Sequence, residues 1–390
     1  MTENPRTSPA RPVIAGIVTA LVGFTSSFAV VLTGLHAVGA TDGQAASGLL
    51  AASVAMGLAC IVLSLWTRMP LTSAWSTPGA ALLAGAGTIE GGWPAAVGAF
   101  LIVGALIVLT GVFPVIGALI RRIPTPLAQA MLAGVLLPLC VAPVTGIAQN
   151  PWGVLPVVLV WLVGLRFFAR WAVPAAFATA AIVVIASVVT ADAAVPVASL
   201  LPHVEFTMPT FTPGAIIGVA LPLFIVTMAS QNIPGVAVMR GYGYEVPWRL
   251  SMVTTGVGTM LGAPAGSHAI NLAAISAALA ASEEADPDPK RRWIAGVSTG
   301  VSYLVLGVAS ALFAALVVLA PAGVIPAVAG LALIASFVGA AQQAFADPDL
   351  RIAAAVTFLV AASGISPLGV AAAFWALLAG LLVHLALHRR

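Results

Sequence analysis

The chain is dominated by long apolar runs that are separated by short polar or Pro/Gly-rich stretches. A helix that crosses a bilayer needs roughly 20 apolar residues, and most of the runs have about this length. We therefore interpret each run as a membrane span, although several are short for a full crossing. The predicted spans are fourteen: 12–36, 45–66, 71–87, 93–119, 125–142, 153–169, 171–190, 212–239, 247–262, 264–281, 293–319, 323–343, 351–364 and 367–387.

The composition excludes a soluble protein. Of the 390 residues 61% are hydrophobic and 7% are charged, and the mean hydropathy is +1.11. Soluble domains carry roughly 25% charged residues, so this chain is predicted to be an all-α polytopic membrane protein. Cys60 and Cys140 both lie inside apolar runs and have no metal-ligand spacing, so we expect neither a disulfide framework nor a metal or other cofactor.

The positive charges predict the orientation in the membrane. When the N-terminus is placed in the cytoplasm and the spans alternate, all 15 Lys and Arg residues fall on the cytoplasmic side. The basic balance therefore reflects orientation and not nucleic-acid binding, and both termini are expected inside. The opposite face receives Asp42, Glu90, Asp192, His203 and Glu205.

No charged residue falls in the middle of a predicted span. Because charge inside the bilayer is costly, chemistry at mid-depth must use neutral polar groups, helix ends or histidine. The charged run 282–292 is interpreted as a solvated cytoplasmic loop that packs against nothing.

Two of the short segments share a pattern that is typical of broken helices. In the first, Thr77 is a suitable N-cap and Pro78 suits the first helical position, after an extended stretch 70–76. In the second, Ser267 is the expected cap, and a helix is predicted from Ala269 onward. Each segment is the third span of a set of seven, so the two sets run in opposite senses. This predicts a 7+7 inverted repeat with the binding site of a transporter at the breaks; ordinary capped kinks are the alternative.

The broken segments favour an anionic ligand. A helix N-terminus carries unpaired N–H groups and about half a positive charge, so two such ends can hold a carboxylate without a buried Lys or Arg. His268 follows the second expected cap and is the candidate for carrying a transported proton, with Asn271 on the same helix face. A neutral histidine that bridges two helices is an equally weighted alternative.

A third group of polar residues interrupts the eighth span. Ser230, Gln231 and Asn232 come in a row before Pro234, which cannot donate to the carbonyl group of Ser230. The sequence predicts loosened backbone and three hydrogen-bonding side chains there. Residues of neighbouring spans are candidates for an aromatic and hydroxyl wall, with packing as the alternative for each: Phe24, Thr25, Ser26, Ser27, Phe28, Trp75 and Phe224.

The stretches MASQNIPGVAVMRGYGYEVP and AGSHAINLAAI resemble the benzoate membrane transport (BenE-type benzoate/proton symporter) family, and the similarity extends over essentially the whole chain. The resemblance implies proton-coupled uptake of benzoate or a related aromatic carboxylate across a bacterial inner membrane. It also implies the fold of nucleobase and sulfate permeases, with an elevator-like core domain (12–122 and 206–320) that moves against a gate domain (123–205 and 321–390), after an N-terminal tail (1–11). Relatives of this fold often form homodimers.

By position, the family's site would fall on Ser76, Thr77, Ser230, Gln231, Asn232, Ser267, His268 and Asn271. Nucleobase permeases carry carboxylates in the eighth and tenth spans, and this chain has none there, which argues against a nucleobase. An exporter or channel for small organic anions remains an alternative. A membrane-embedded hydrolase using a serine and His268 is a remote one, because no GxSxG motif supports it.

Overall fold

The computed structural model describes residues 10–87, 89–113, 115–116, 124–190, 201–274, 276–367 and 370–387. Several residues used above to predict the orientation lie outside these ranges: Arg6, Arg121, Arg122, Asp192, Arg389 and Arg390.

The first half of the chain forms seven spans. The first of them is bent at Ser26 and Ser27, and the third consists of a short strand followed by a half-helix. The elements are α1 (Ala10–Thr25), α2 (Phe28–Ala37), α3 (Asp42–Thr67), β1 (Ser73–Trp75), α4 (Thr77–Ala86), α5 (Gly92–Val112), α6 (Thr125–Gln149), α7 (Pro151–Phe167) and α8 (Ala172–Thr190).

The second half repeats this order. Its elements are α9 (Pro213–Gly241), α10 (Trp248–Gly262), β2 (Ile270–Leu272), α11 (Ala277–Ala281), α12 (Trp293–Val308), α13 (Ser310–Val318), α14 (Val324–Ala344), α15 (Arg351–Ala362) and α16 (Ala372–Leu387). Helices α12 and α13 form one segment with a 53° bend. Each of the fourteen predicted spans overlaps one of these segments, and within the described ranges seven helices, or eight with the bent pair, are long and apolar enough to cross a bilayer alone.

The eighth span, α9, is continuous but loosened at two places. Residues Ile216–Ala220 and Met228–Asn232 form π-helical turns, and each turn ends two residues before a proline, Pro222 or Pro234. Proline has no N–H group and its ring displaces the carbonyl group four residues earlier, so the hydrogen bonds of the preceding turn shift to the wider π pattern. The loosening predicted at Ser230–Asn232 is therefore confirmed, whereas the helix does not end there.

The two interrupted spans meet in the middle of the molecule. Strands β1 and β2 pair antiparallel, with Ser73 opposite Leu272 and Trp75 opposite Ile270. The predicted extended stretch before α4 is thus confirmed, but the helix expected from Ala269 is wrong. Gly266 adopts a positive φ of 93° after α10, and the chain then pairs its backbone with β1 instead of with itself.

The capping predictions need correction at both breaks. Ser76, and not Thr77, caps α4: its side-chain oxygen accepts a hydrogen bond from the Gly79 N–H at 3.1 Å. Ser267 caps no helix, since its hydroxyl donates to the His268 carbonyl oxygen at 3.0 Å. The second half-helix, α11, begins ten residues later than this predicted cap and has only five residues.

Glycine contacts repeat between the two halves. A Cβ atom at Gly57 would lie 2.8 Å from the Gly300 carbonyl oxygen, where α3 crosses α12. A Cβ atom at Gly256 would lie 2.7 Å from the Gly104 carbonyl oxygen, where α10 crosses α5. Gly57 corresponds to Gly256 and Gly104 to Gly300, each pair roughly 200 residues apart, as expected of an inverted repeat. Both crossings are close because the two glycines at each of them have no side chains.

The helices pack in two groups. Spans one to four and eight to eleven pack on each other through α3 with α12, α5 with α10, and α1 with α12. Spans five to seven and twelve to fourteen pack through α6 with α14, α6 with α15, and α7 with α8. The fold therefore has two helical bodies with the paired strands in the first of them.

The charged run 282–292 is ordered and partly buried, which corrects the expectation of a loop that packs against nothing. Asp286 is fully buried and the Arg292 side chain is 4% exposed. The Arg292 guanidinium group donates to the carbonyl oxygen of Ala281 at 2.9 Å and to that of Asp286 at 2.7 Å. The bond to Ala281 satisfies a carbonyl group at the end of α11, which a five-residue helix cannot satisfy alone, and the bond to Asp286 holds the charged run itself.

Candidate functional site

A cavity of about 110 Å³ lies beside the paired strands, between the two helical bodies. Most of its wall belongs to the first body, and Ala332 and Ser336 of α14 close it from the second. The lining residues are Val22, Gly23, Ser26, Ser27, Met56, Ala74, Trp75, Thr77, Gln231, Ala273, Ala274, Ser276, Leu279, Tyr303, Ala332 and Ser336.

The strands that form one wall are fastened by matching side chains. The Ser73 N–H donates to the Cys60 sulfur at 3.0 Å, and the Ile270 N–H donates to the Thr259 hydroxyl oxygen at 3.0 Å. Cys60 lies in the second span of the first half and Thr259 at the corresponding place of the second half. Each strand therefore begins on an acceptor from the neighbouring helix, and Cys60 has a structural role as that acceptor.

Two of the residues on which the family's site would fall line the cavity. Thr77 is the first residue of α4, so the N-terminal turn of this ten-residue helix faces the cavity with its positive dipole end. Gln231 lies in the π turn of α9, and no hydrogen-bond partner of its side chain is found among the described residues. Its amide is therefore available to a ligand.

Three predicted residues hold the wall together from behind. The Ser76 hydroxyl bonds to the Thr227 hydroxyl at 2.8 Å. The Asn232 side-chain oxygen accepts the Leu272 N–H at 2.9 Å and so joins α9 to β2. The Ser230 hydroxyl donates to the Val226 carbonyl oxygen of its own helix. None of the three side chains lines the cavity in the part of the chain that the structure describes.

The predicted residues of the tenth span are fully buried. His268 donates through Nε2 to the Ser76 carbonyl oxygen at 3.2 Å, and its ring packs edge-on against Phe100. The expectation that Asn271 shares a helix face with His268 is wrong, because this stretch is extended and residues three apart in a strand point to opposite faces. Two buried atoms, His268 Nδ1 and Asn271 Oδ1, have no hydrogen-bond partner among the described residues.

The break in the first span contributes hydroxyl groups. The Ser27 side chain accepts the indole N–H of Trp75 at 2.8 Å, which fixes the indole ring at the cavity wall. Phe24 is fully buried behind Trp75, with ring centres 5.0 Å apart, and Thr25 bonds to the Leu21 carbonyl oxygen. Phe24 and Thr25 therefore support the wall, while Ser26 and Ser27 line it.

The sequence did not single out Ser276, Tyr303 and Ser336, which add three hydroxyl groups to the cavity. Gly23 makes room for Tyr303, since a Cβ atom there would lie 2.6 Å from the phenol oxygen. One signal was available for Tyr303: it is the one tyrosine of three that lies within a predicted span. The other two hydroxyl groups belong to small residues that are common throughout the spans.

The lining of the cavity has no charged side chain. It combines hydroxyl groups, one amide, a helix N-terminus and two aromatic rings, and these neutral donors suit a small anion with an apolar body. Within the described ranges no cluster of three His, Cys, Asp or Glu side chains could hold a metal ion.

Comparisons with known proteins agree with this architecture. A family model described as "BenE: Benzoate membrane transport protein" matches residues 6–386. The chain is 38% identical to "Inner membrane protein YdcO" of Escherichia coli (strain K12) over 374 residues, which cover 95% of this chain and 94% of the relative. It is 27% identical to "Benzoate membrane transport protein" of Acinetobacter baylyi (strain ATCC 33305 / BD413 / ADP1) over 376 residues, with coverage of 95% and 93%.

The fold is also similar to solved structures. The transmembrane domain of the cyanobacterial bicarbonate transporter BicA aligns with a TM-score of 0.60 at 14% identity, and the alignment covers 95% of this chain and 97% of that one. The anion transporter Slc26a9 of the mouse, in the inward-facing state, aligns with a TM-score of 0.60 at 12% identity, and the alignment covers 99% of this chain and 68% of that one. The predicted all-α polytopic fold of the nucleobase and sulfate permeases is confirmed by this likeness.

Proposed function

The chain belongs to the benzoate membrane transport protein family, and we propose that it is a secondary transporter of benzoate or a related small aromatic carboxylate. Membership of this family makes the chain a membrane transporter and not an enzyme, so the hydrolase alternative is excluded. The observation that carries the choice of substrate is the cavity of about 110 Å³ with neutral polar and aromatic walls. An engineered cavity of roughly 150 Å³ holds benzene, so the volume of this cavity is of the right order for one aromatic ring.

The chemistry of the wall matches the two parts of such a substrate. Trp75 and Tyr303 offer aromatic surface to the ring. The carboxylate is held by Thr77 at the N-terminus of α4, by the Gln231 amide and by the hydroxyl groups of Ser26 and Ser276. No counter-charge is needed, because hydrogen bonds to a charged acceptor are the stronger kind.

The location of the cavity supports an elevator-like mechanism. The core would comprise 12–122 with 206–320, and the gate 123–205 with 321–390. The cavity has walls from both bodies, so movement of the first body against α14 would expose it to each side of the membrane in turn. The name of the Escherichia coli relative supports location in a bacterial inner membrane, with both termini in the cytoplasm on the argument from positive charge.

His268 is the candidate for proton coupling. It lies behind the cavity wall on the Ser76 carbonyl group, and its Nδ1 atom is buried without a partner among the described residues. A proton on Nδ1 would change the electrostatic potential at Ser76 and, through Ser76, at the first turn of α4 beside Thr77. An exporter or an anion channel of the same fold would not need this link.

Uptake of labelled benzoate into proteoliposomes with an imposed pH gradient tests the function. We expect saturable accumulation that salicylate inhibits and uracil does not. Gln231→Ala should raise the KM about tenfold, because it removes a bond to a charged group. Gln342→Ala, which removes an exposed amide outside the cavity, is the matched control. Equal behaviour of the two variants would contradict the site.

The same preparation separates the coupling hypotheses. His268→Ala should retain benzoate exchange between equal pools but lose accumulation driven by the pH gradient. Undiminished accumulation would remove His268 from the coupling mechanism. If the wild-type protein only dissipates gradients, it is a channel; if it transports none of the aromatic carboxylates, the proposed substrate class is wrong.

A further inference from the structure

A second cavity, of about 240 Å³, adjoins the central one. Leu279 lines both cavities, and it is half-buried in the middle of the half-helix α11. The second cavity is lined by residues of α1, of the loop after α11, and by Arg170 from the turn between α7 and α8. It therefore lies between the two helical bodies, like the central cavity, with one leucine side chain between them.

One face of the first span runs through both cavities. Ile14 and Val18 line the second cavity, and Val22 and Ser26 line the central one. Residues four apart lie on the same face of a helix, so these side chains form a continuous track about three turns long. The two cavities are therefore adjacent along this track, with Leu279 in the wall of each.

The two cavities differ in charge. The central cavity has no charged side chain, whereas the second contains the guanidinium groups of Arg11 and Arg170 and one carboxylate, Glu284. Arg170 and Glu284 are paired at 3.3 Å, and both are largely exposed. Arg11 has no ion pair with any residue in the described ranges.

The second cavity has an excess of positive charge, because two guanidinium groups, those of Arg11 and Arg170, line it with one carboxylate, that of Glu284. The two guanidinium groups add to one positive potential at the mouth of the track. Potentials of this kind concentrate anions at a site and raise their rate of association.

We propose that Arg11 and Arg170 form a carboxylate-binding vestibule at the face of the membrane that bears the arginines, with Leu279 as the closure between it and the central cavity. The inference rests on the proposed function, since it names a second station for the same aromatic carboxylate. Glu284 occupies Arg170 in the empty protein, and the arriving carboxylate displaces it. Because the contact joins the two bodies, its exchange also releases the bridge between them.

The test measures initial rates of labelled benzoate transport from each face separately. Inverted membrane vesicles present the face that bears the arginines, and whole cells present the opposite face. Arg11→Gln and Arg170→Gln should each raise the KM from the arginine face about threefold, as expected for one exposed ion pair, and leave the KM from the opposite face unchanged. Glu284→Gln should lower the KM from the arginine face about twofold, because Arg170 is freed.

Arg166→Gln is the matched control. Arg166 lies at the end of α7 with its guanidinium group 5.6 Å from the ring of Phe167, and it lines neither cavity. Raising the ionic strength should reduce the difference in KM, measured from the arginine face, between the wild-type protein and Arg11→Gln. Surface charges are screened within about 10 Å at 0.1 M salt.

The possible failures are distinguishable. If Arg11→Gln and Arg170→Gln behave like Arg166→Gln, or raise the KM equally from both faces, the vestibule is refuted and the proposed function stands. If wild-type protein transports no aromatic carboxylate from either face, the proposed function fails and the vestibule fails with it.

Discussion

In the first half of the chain, β1 leads through Ser76 directly into a ten-residue helix whose first turn is capped. In the second half, the chain continues for several residues after β2 before a five-residue helix begins, and Ser276 ahead of it makes no capping bond. The second and fourth spans of the two halves differ in length and bend but share their contacts. Their glycine crossings and their strand fasteners, Cys60 and Thr259, correspond closely.

This contrast separates scaffold from site. The helix crossings must match because they carry two strands that meet at one place in the bilayer. The third spans of the two halves differ from each other. Three residues that follow β2 line the cavity: Ala273, Ala274 and Ser276. The two halves contribute equally to the wall, and the regular half also contributes the longer helix dipole at Thr77.

Matched glycine crossings should be equally sensitive to substitution. Gly57→Ala and Gly256→Ala would each place a Cβ atom within 3 Å of a backbone oxygen of the partner helix. We expect each to lower the free energy of unfolding by about 2 kcal/mol, as overpacking does, and to lower the melting temperature in detergent. A loss in only one variant would contradict the equivalence of the two crossings.

Gly339→Ala is the control for this experiment. Gly339 lies within α14, and no heavy atom would be within 4 Å of its new Cβ atom. The melting temperature of this variant should be unchanged or slightly higher, because alanine favours the helix. A decrease in melting temperature equal to that of Gly57→Ala would show that the sensitivity is not particular to the two crossings.

The strand fasteners should show a smaller effect. Thr259→Val keeps the shape of the side chain but leaves the Ile270 N–H buried without an acceptor, which costs about 1.5 kcal/mol of unfolding free energy. Cys60→Ala should cost less because sulfur is a weak acceptor, and Cys60→Ser should restore the bond to Ser73.

Thermal unfolding of the same set in detergent checks this order. Thr19→Val is the matched control, since among the described residues the buried Thr19 hydroxyl bonds only to the Ala15 carbonyl oxygen of its own helix. Equal losses for Thr259→Val and Thr19→Val would mean that the fastener does not hold the strand.

The fold was predictable because its signals are local and strong. Lengths of apolar runs predict spans, while Pro234 marks where a span is loosened and Gly266 marks where one is interrupted. The pairing of β1 with β2 was not predictable in this way. The stretch after Ala269 is rich in helix-forming residues, and only a partner far away in the sequence makes it extended.

The site was predictable in part for the same reason. Thr77 and Gln231 were found because helix breaks are visible in the sequence, and both line the cavity. The exchange of roles between Ser76 and Thr77 could not be seen, since both residue types cap helices well. Tyr303 enters the cavity through the crossing of α12 with α1 at Gly23, a contact that exists only in the fold.

Ser76 and Ser276, the two serines beside the half-helices, should give the smallest effects on stability. Their variants should differ in whether the stability or the KM changes. Ser76→Ala removes the cap of α4 and the bond to Thr227, and we expect it to lower the free energy of unfolding by about 1 kcal/mol. Its effect on the KM for benzoate should be small, because the Ser76 side chain does not line the cavity. Ser276→Ala should leave stability within about 0.5 kcal/mol and raise the KM about fivefold, because it removes one hydroxyl group from the wall. Melting temperatures in detergent and uptake into proteoliposomes measure the two effects side by side. The reverse pattern, with Ser76 governing the KM and Ser276 governing stability, would return the substrate to the position first predicted from the sequence.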